Sequence, residues 1–326
     1  MSTLSDSFGR PISYLRVSVT DRCDLRCAYC MAEKMSFLPK ADLLTLEELA
    51  RTAHRFIDYG VKKIRISGGE PLVRRDIMEL FAQIAPRLKN DLSELTLTTN
   101  ATQLPQYADK LASLGVKRVN ISLDSLNPDT FAKLSRRDVL PQVLNGIQAA
   151  KEAGLKIKIN IVLLPDNLPE IPDMVRWAHR QNFDLSLIEI MPMGDTDKDR
   201  RTQFVPMSAA KALLHKAFDL TKNATLDPLG GPARYYHSAA TGGQIGFISP
   251  LTNNFCATCN RVRLTCTGRI YMCLGREDHI DLRRTLREGG DLDADIARAV
   301  RLKPEAHDFS ITAKPSVARH MSVTGG

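Results

Sequence analysis

The sequence predicts an α/β fold in which six βα units form an incomplete, TIM-like (βα)6 barrel, followed by a smaller C-terminal domain. Short β-branched runs alternate with longer amphipathic segments through the first two thirds of the chain, which is typical of parallel strands joined by crossover helices. After about residue 222 the alternation stops, and Gly, Pro, Thr and four cysteines become frequent. We therefore expect a barrel over residues 1–222 and a smaller, irregular domain over residues 223–326.

Six strands and six helices are expected in the barrel. The strands are predicted at residues 15–20, 63–67, 95–99, 118–123, 156–163 and 185–190. The helices are predicted at residues 45–59, 75–89, 104–114, 140–153, 170–181 and 208–218. Thr45 and Glu48 form a capping-box pattern at the start of the first helix, and Gly60, Gly115 and Gly154 lie where a left-handed C-cap favours glycine. Six units are fewer than the eight that close a barrel, so a lateral opening is expected.

Composition narrows the class of protein. Of the 326 residues, 43% are hydrophobic and 25% are charged, which is ordinary for a soluble globular protein. The sequence contains no apolar run near the ~18 residues that a membrane span requires, and its start lacks the pattern of a signal peptide. We expect a cytoplasmic protein with no membrane partner. The net charge of +8 indicates an anionic partner or a solvated basic surface.

Polar residues alternate with apolar ones along four predicted strands, so each strand has one polar face. The polar faces are Arg16, Ser18 and Thr20; Lys63, Arg65 and Ser67; Asn120, Ser122 and Asp124; and Lys156, Lys158 and Asn160. The apolar faces are expected to meet the helices, which leaves the polar faces lining the barrel interior. Because buried cations are unfavourable without a counter-charge, this interior predicts a site for an anion.

Two groups of cysteines predict metal ligation. Cys23, Cys27 and Cys30 follow the first strand with the spacing C-x3-C-x2-C, at the end of the barrel where active sites lie. Three thiolates can hold a [4Fe–4S] cluster and leave one iron open, whereas structural zinc usually takes four ligands.

The second group is Cys256, Cys259 and Cys273, with the spacing C-x2-C-x13-C. Cys266 lies between them, so a four-cysteine zinc site is an alternative to a three-cysteine cluster. From this segment alone the two interpretations remain open.

The first cysteine group resembles the signature of the radical S-adenosylmethionine (SAM) superfamily, with Tyr29 as the aromatic residue before the last cysteine. Ser67-Gly-Gly-Glu-Pro71, after the second strand, is similar to the segment of that family that binds the SAM amino group. The resemblance implies that SAM chelates the open iron and yields a 5′-deoxyadenosyl radical. It also implies a set of SAM-binding residues: Tyr29, Gly68, Gly69, Glu70, Ser122 and Met191.

Segments spread over nearly the whole chain are similar to the GTP 3′,8-cyclases of molybdenum cofactor biosynthesis. They are Leu15-Arg-Val-Ser-Val-Thr-Asp-Arg-Cys23, Lys62-Lys-Ile-Arg-Ile-Ser-Gly-Gly-Glu-Pro71, Ile188-Glu-Ile-Met191, Asn260-Arg-Val-Arg-Leu264 and Gly325-Gly326. This resemblance implies a second three-cysteine [4Fe–4S] cluster facing the guanine of GTP, and a radical attack of ribose C3′ on guanine C8. The implied GTP-binding residues are Arg16, Lys63, Arg65, Thr98, Lys158, Arg261, Val262 and Arg263. The implied catalytic residues are Arg261, Arg263, Gly325 and Gly326.

The same resemblance implies partners: a flavodoxin- or ferredoxin-like electron donor and a next enzyme that makes cyclic pyranopterin monophosphate. No nucleic-acid partner is expected, and a homodimer is left open. One departure is Ser186, because the family often has Arg at that place on the sixth strand.

Two alternatives are a radical SAM enzyme that modifies a peptide and a zinc-containing nucleic-acid-binding protein. The Arg-Val-Arg segment and terminal Gly-Gly favour GTP over a peptide, and placement of the basic residues inside the barrel argues against nucleic acid.

Overall fold

The computed structural model describes residues 3–222, 231–312 and 315–325. Its strands are β1 (Tyr14–Ser18), β2 (Lys63–Ser67), β3 (Glu94–Thr99), β4 (Arg118–Ser122), β5 (Lys156–Leu163), β6 (Asp184–Glu189), β7 (Leu220–Lys222), β8 (Arg234–Ser238), β9 (Gln244–Ile248), β10 (Arg261–Leu264), β11 (Arg269–Tyr271) and β12 (His279–Asp281). Its α-helices are α1 (Leu46–Asp58), α2 (Ile77–Ile84), α3 (Leu104–Ser113), α4 (Pro128–Ser135), α5 (Leu140–Glu152), α6 (Ile171–Arg180), α7 (Arg200–Gln203), α8 (Met207–Phe218), α9 (Arg283–Glu288), α10 (Leu292–Arg301) and α11 (Met321–Thr324).

All of these strands belong to one sheet with the order β12-β11-β10-β1-β2-β3-β4-β5-β6-β9-β8-β7. Strands β1 to β6 are parallel neighbours in chain order. Strand β10 adds to β1 and β9 adds to β6, both in parallel, while the outer strands pair antiparallel. Within the described residues the sheet does not close, so the predicted incomplete α/β barrel is confirmed.

The C-terminal region extends the barrel sheet on both sides. Strands β9 and β10 come from beyond residue 230, yet each is hydrogen-bonded to a strand of the first region. The boundary predicted at residues 222 and 223 falls at the edge of the described residues, so the division into two domains stays a prediction.

The apolar faces of the strands carry the core, as the alternation predicted. Leu15, Val17, Ile64, Ile66 and Ile159 have no exposed surface, and they belong to one continuous cluster with the apolar faces of the helices. Burying a side chain of this size contributes about 1.5–3 kcal/mol. This packing leaves the opposite face of each strand for the interior of the barrel.

The six predicted strands and six predicted helices are present, with shifted ends. The helix expected at residues 75–89 is α2 followed by the 3-10 helix Ala85–Lys89, because Pro86 cannot donate the next α-helical hydrogen bond. Thr45 and Glu48 form the predicted capping box, and Gly60, Gly115 and Gly154 have φ values of 92°, 84° and 75°.

Helix α4 was not predicted. Its N-cap is Asn127, whose side chain accepts from the backbone N–H of Thr130, and Pro128 occupies its first turn. Among the described residues, no helix is both long and apolar enough to cross a membrane.

Candidate functional site

A row of guanidinium groups crosses the interior at the strands β10, β1 and β2. The register of these parallel strands sets Arg263 beside Arg16 and Arg16 beside Arg65. The Nε atoms of Arg65, Arg261 and Arg263 are buried and have no hydrogen-bond partner among the described residues. Arg261 and Arg263 are buried and lie on the same face of β10, toward the interior.

The interior holds more positive charge than its carboxylates balance. Burial, together with neighbouring Arg16 in each case, lowers the pKa of Arg65 to about 10 and that of Arg263 to about 9. Burial and the charge of Arg65 lower the pKa of Lys158 to about 7. Burial alone would raise the pKa of Tyr14, but Arg65 and Arg16 lower it to about 7. All four shifts indicate that this interior favours a bound anion.

Two predicted cationic residues are placed differently from this row. Lys63 is buried and pairs with Glu94 at 2.6 Å, which also accepts from Arg118 at 2.7 Å, at the amino end of the strands. Lys156 was expected to line the interior but is exposed, because it begins β5 at the rim. Thr20 was expected to share the polar face of the first strand, but β1 ends at Ser18.

The first cysteine triad opens into a cavity of about 160 Å³ at the carboxyl ends of the strands. Of the residues predicted to bind SAM or GTP, those lining this cavity are Tyr29, Gly68, Gly69, Thr98, Ser122 and Met191. Cys23, Cys27 and Cys30 line the same cavity. Active-site placement at this end of a barrel is the general rule, so the cavity is the candidate active site.

The glycine turn after β2 packs directly against the chain that leads into the first triad. A Cβ on Gly69 would lie 2.2 Å from the carbonyl oxygen of Arg22, and one on Gly68 would lie 2.5 Å from that of Thr20. Gly69 N–H donates to Thr20 at 2.8 Å, and Glu70 N–H donates to Arg22 at 2.8 Å. Only glycine allows this approach, which fixes the cysteine loop at the end of the sheet.

Glu70 is engaged within the protein. Its carboxylate accepts from Leu72 N–H at 3.0 Å, from the Thr99 hydroxyl at 2.8 Å and from Asn100 N–H at 2.6 Å. Its side chain does not belong to the described lining of the cavity. A contact of Glu70 with the SAM amino group stays a prediction from the sequence.

Tyr29 is held by a carboxylate that sequence reasoning did not single out as a site residue. The Tyr29 hydroxyl donates to Asp124 at 2.7 Å, and Asp124 also accepts from Val162 N–H at 2.8 Å. Burial raises the pKa of Asp124 to about 6, against the effect of these bonds. Asp124 was predicted to lie on the polar face of the fourth strand, but β4 ends at Ser122 and Asp124 follows it.

Cys256, Cys259 and Cys273 lie close enough to influence one another, and Cys266 lies elsewhere. Burial would raise the pKa of Cys259, but Arg261 and Lys303 lower it to about 6, which favours a thiolate. Cys266 has no exposed surface, and the charges that act on its thiol are those of Asp21 and Arg74.

Neither triad forms a compact site for a single ion. In the described part of the chain, no group of three or more His, Cys, Asp or Glu side chains could hold one metal ion. A four-cysteine zinc site that includes Cys266 is therefore not supported. The three thiols of the first triad line a cavity, and three thiolates fit a cuboidal cluster with one open iron.

The C-terminal tail contacts both triads. Arg319 donates to the backbone carbonyl of Cys273 at 3.2 Å, and Met321 lines the cavity of the first triad. The backbone of Ser322 lies close enough to Cys30 to act against the burial that raises the pKa of its thiol. Arg319 and Ser322 are three positions apart in the chain, so their Cα atoms lie within about 11 Å of each other. Gly325 packs on β2, where a Cβ would lie 2.0 Å from the Ser67 hydroxyl. Gly326, the other predicted catalytic glycine, lies outside the described residues.

Two further residues brace the site: Glu189 lies in the family-like segment 188–191, and Arg200 lies outside every such segment. Arg200 is buried and donates to the carbonyls of Tyr29 at 2.7 Å and Met193 at 2.5 Å, which joins the cysteine loop to the segment after β6. Glu189 is fully buried and accepts from Leu251 N–H and Thr252 N–H, both at 3.1 Å, in the segment that leads to Cys256.

Comparison with known proteins finds one family model for each half of the chain. The family model described as Radical SAM superfamily matches residues 17–178, and the one described as Molybdenum Cofactor Synthesis C matches residues 183–309. A GTP 3′,8-cyclase of Mesorhizobium japonicum is 57% identical over 98% of this chain and 99% of its own. One of Bradyrhizobium diazoefficiens is 56% identical over 100% of this chain and 96% of its own.

The chain belongs to the GTP 3′,8-cyclase family. The resemblance stated from its motifs is thereby confirmed, as is its place in the radical SAM superfamily. Its cofactors accordingly include SAM and an iron–sulfur cluster. The fold is also similar to Streptococcus suis SuiB bound to S-adenosylmethionine, with a TM-score of 0.61 at 16% identity over 95% of this chain and 77% of that one.

Proposed function

We propose that this chain converts GTP into 3′,8-cyclo-7,8-dihydroguanosine 5′-triphosphate, the first step of molybdopterin synthesis. The observation that carries this is the row Arg263–Arg16–Arg65 beneath a cavity lined by three thiols. Within this row, the Nε atoms of Arg263 and Arg65 are buried and have no partner among the described residues. A nucleoside triphosphate supplies the anionic charge that this row lacks, and the cavity places SAM next to it.

We propose two [4Fe–4S] clusters, one held by Cys23, Cys27 and Cys30 and the other by Cys256, Cys259 and Cys273. When bound, the first cluster and SAM supply a 5′-deoxyadenosyl radical that removes hydrogen from ribose C3′, and the cofactors carry this chemistry. Tyr29, Gly68, Gly69, Ser122 and Met191 are the proposed SAM-binding residues, with Glu70 as a sixth whose carboxylate is already engaged.

The barrel interior binds the triphosphate in this proposal. Arg16, Arg65 and Lys158 donate to phosphate oxygens, and Thr98 donates its hydroxyl, which is buried without a partner among the described residues. Lys63 contributes positive charge from the amino end of the strands, where it also pairs with Glu94. Ser186 adds no positive charge to the barrel interior. The proposed binding of the triphosphate therefore depends on the arginine and lysine residues named above.

Arg261, Val262 and Arg263 bind and orient the guanosine in this proposal, on the strand that follows the second triad. Gly325 lies beside β2 and helps to keep water from the ribose in this proposal, and Gly326 is its proposed catalytic partner. With both ends of the substrate held, C3′ and C8 stay in contact distance for ring closure.

We also propose the partners and the domain roles. A flavodoxin- or ferredoxin-like protein supplies two electrons per turnover, one for the cleavage of SAM and one that, with a proton, reduces the cyclised nucleotide radical to the 7,8-dihydro product. The enzyme that makes cyclic pyranopterin monophosphate takes this product. Residues 1–222 form the radical SAM partial barrel, and residues 223–326 form the unit that carries the second cluster and part of the GTP site.

Anaerobic turnover of GTP deuterated at C3′, with SAM and a chemical reductant, tests the proposal. Deuterium is expected in 5′-deoxyadenosine, together with one equivalent of cyclised nucleotide. Formation of 5′-deoxyadenosine without deuterium, and without loss of GTP, would contradict it. A requirement for an added peptide would instead favour the peptide-modifying alternative.

A further inference from the structure

Lys303 is a buried cation that has no role in the reaction proposed above. It follows α10 and is 3% exposed, although lysine is among the residues least often buried. Its Nζ donates to the backbone carbonyl of Met272 at 2.9 Å and to the Sγ of Cys259 at 3.4 Å. The ammonium therefore joins the segment before β10 that carries Cys259 to the residue just before Cys273.

The charge of Lys303 lacks a carboxylate partner within the described ranges 3–222, 231–312 and 315–325. Its polar contacts there are a neutral carbonyl and a sulfur atom. Burying an ammonium is unfavourable unless an anion is nearby, and a metal-bound cysteine sulfur is anionic. Cys259 as a cluster ligand supplies the missing negative charge.

We propose that Lys303 is a positioning residue of the second [4Fe–4S] cluster, which hydrogen-bonds the cluster-bound sulfur of Cys259 and raises the reduction potential of that cluster. This inference rests on the two-cluster function proposed above. Hydrogen bonds to the ligand sulfurs and local net charge are two of the determinants of the potential of such clusters. A cationic donor withdraws electron density from the sulfur and so stabilises the reduced state.

The same contacts give Lys303 a second effect on the cluster. Because its Nζ hydrogen-bonds both Cys259 and Met272, it fixes the position of two ligand-bearing segments relative to each other, the one with Cys259 and the one with Cys273. Second-shell partners of this kind commonly change metal affinity by 10–100-fold when they are removed. Loss of the lysine is expected to lower the potential and to speed loss of the second cluster.

The test uses the full-length holoprotein, purified anaerobically, in wild-type form and as the variants Lys303→Met, Lys303→Gln, Lys303→Arg and Arg301→Met. The potentials are measured by redox titration followed by electron paramagnetic resonance. Added SAM identifies the first cluster, because only that cluster's signal should respond to it. Arg301 is an exposed cation two residues away, so Arg301→Met controls for net charge.

The expected result is a more negative potential for the second cluster in Lys303→Met, an intermediate shift in Lys303→Gln, and near wild-type values in Lys303→Arg and Arg301→Met. If Lys303→Met retains too little of the second cluster for a titration, the potential of that cluster in Lys303→Gln is compared with the wild-type value instead. An unchanged potential, or an equal shift in Arg301→Met, would overturn the role of Lys303. About four irons in the wild type would instead overturn the two-cluster function on which it rests.

Discussion

The guanidinium of Arg319 donates a hydrogen bond of 3.2 Å to the backbone carbonyl of Cys273. The Cζ atom of Arg319 also lies 4.1 Å from the centre of the Tyr271 ring, and Arg319 forms an ion pair with Glu277 at 2.9 Å. These contacts fix the start of the tail that places Gly325 against β2. The position of the tail therefore depends on a residue outside the lining of the cavity.

Replacing Arg319 with methionine is expected to lower kcat for GTP cyclisation by about 100-fold, because a displacement of about 1 Å in a positioning group has effects of this size. Single-turnover assays and iron analysis measure turnover and cluster content separately, and iron content should stay close to that of the wild type. Arg276→Met is the matched control, since Arg276 makes a half-exposed pair with Asp308. Equal activity in the two variants would contradict the anchoring role.

Gly325→Ala is expected to reduce turnover at least about tenfold, because φ is +71° and the new Cβ would lie 2.0 Å from the Ser67 hydroxyl. Deletion of Gly325 and Gly326 is expected to abolish cyclisation with both clusters retained. Gly154→Ala is the control: Gly154 has φ +75° and open space at its Cβ, so it shares the backbone strain without the contact. Undiminished turnover after the deletion would refute the role of the tail.

GTP affinity is expected to fall as pH rises through about 7. Lys158 has its pKa lowered to about 7 by burial and Arg65, so it loses its positive charge above that pH, and a bound triphosphate must restore the proton. Tyr14, with a pKa of about 7, gains a negative charge in the same range and acts in the same direction. Equilibrium binding between pH 6 and 8.5 should therefore show net proton uptake.

The variant Lys158→Arg separates the two groups, because a guanidinium keeps its charge over this range. Its affinity should fall less steeply with pH than that of the wild type. Identical slopes in the two proteins would show that Lys158 does not contact the phosphates.

Glu189→Gln is expected to lower the free energy of unfolding by about 2–4 kcal/mol, because an amide nitrogen cannot accept the backbone hydrogen bonds now made to one carboxylate oxygen. The melting temperature should fall by about 5 °C, measured by calorimetry. Glu288→Gln is the control, since Glu288 pairs on the surface with Arg284, and it should leave the melting temperature unchanged. Equal effects would mean that Glu189 does not brace the segment before Cys256.

The parallel barrel could be predicted from the sequence because its strands carry a strict alternation. The alternation of polar and apolar residues placed Arg16 and Arg65 on interior faces of their strands. The structure agrees, because the register of β1 and β2 sets these two residues side by side. Only the resemblance to the GTP 3′,8-cyclases assigned Arg261 and Arg263 to the site. Their pairing with β1 could not be predicted, since it joins residues more than 240 positions apart and leaves no local pattern.

The residues that brace the site could not be predicted for the same physical reason. Arg200, Lys303 and Arg319 bind carbonyls or sulfur atoms on distant segments, and a lone cation in an irregular region looks like a solvated one. Helix α4 is a different case. Asn127 and Pro128 give a recognisable helix start that was overlooked between the fourth and fifth predicted strands.

The central claim is that two separate cysteine triads each hold a four-iron cluster, and iron and sulfide content after anaerobic purification tests it most directly. The account predicts about eight irons per chain in the wild type, about four in Cys256→Ala, and about eight in Cys266→Ala, which removes a buried thiol outside both triads. About four irons in the wild type, or bound zinc that is lost in both alanine variants, would contradict it.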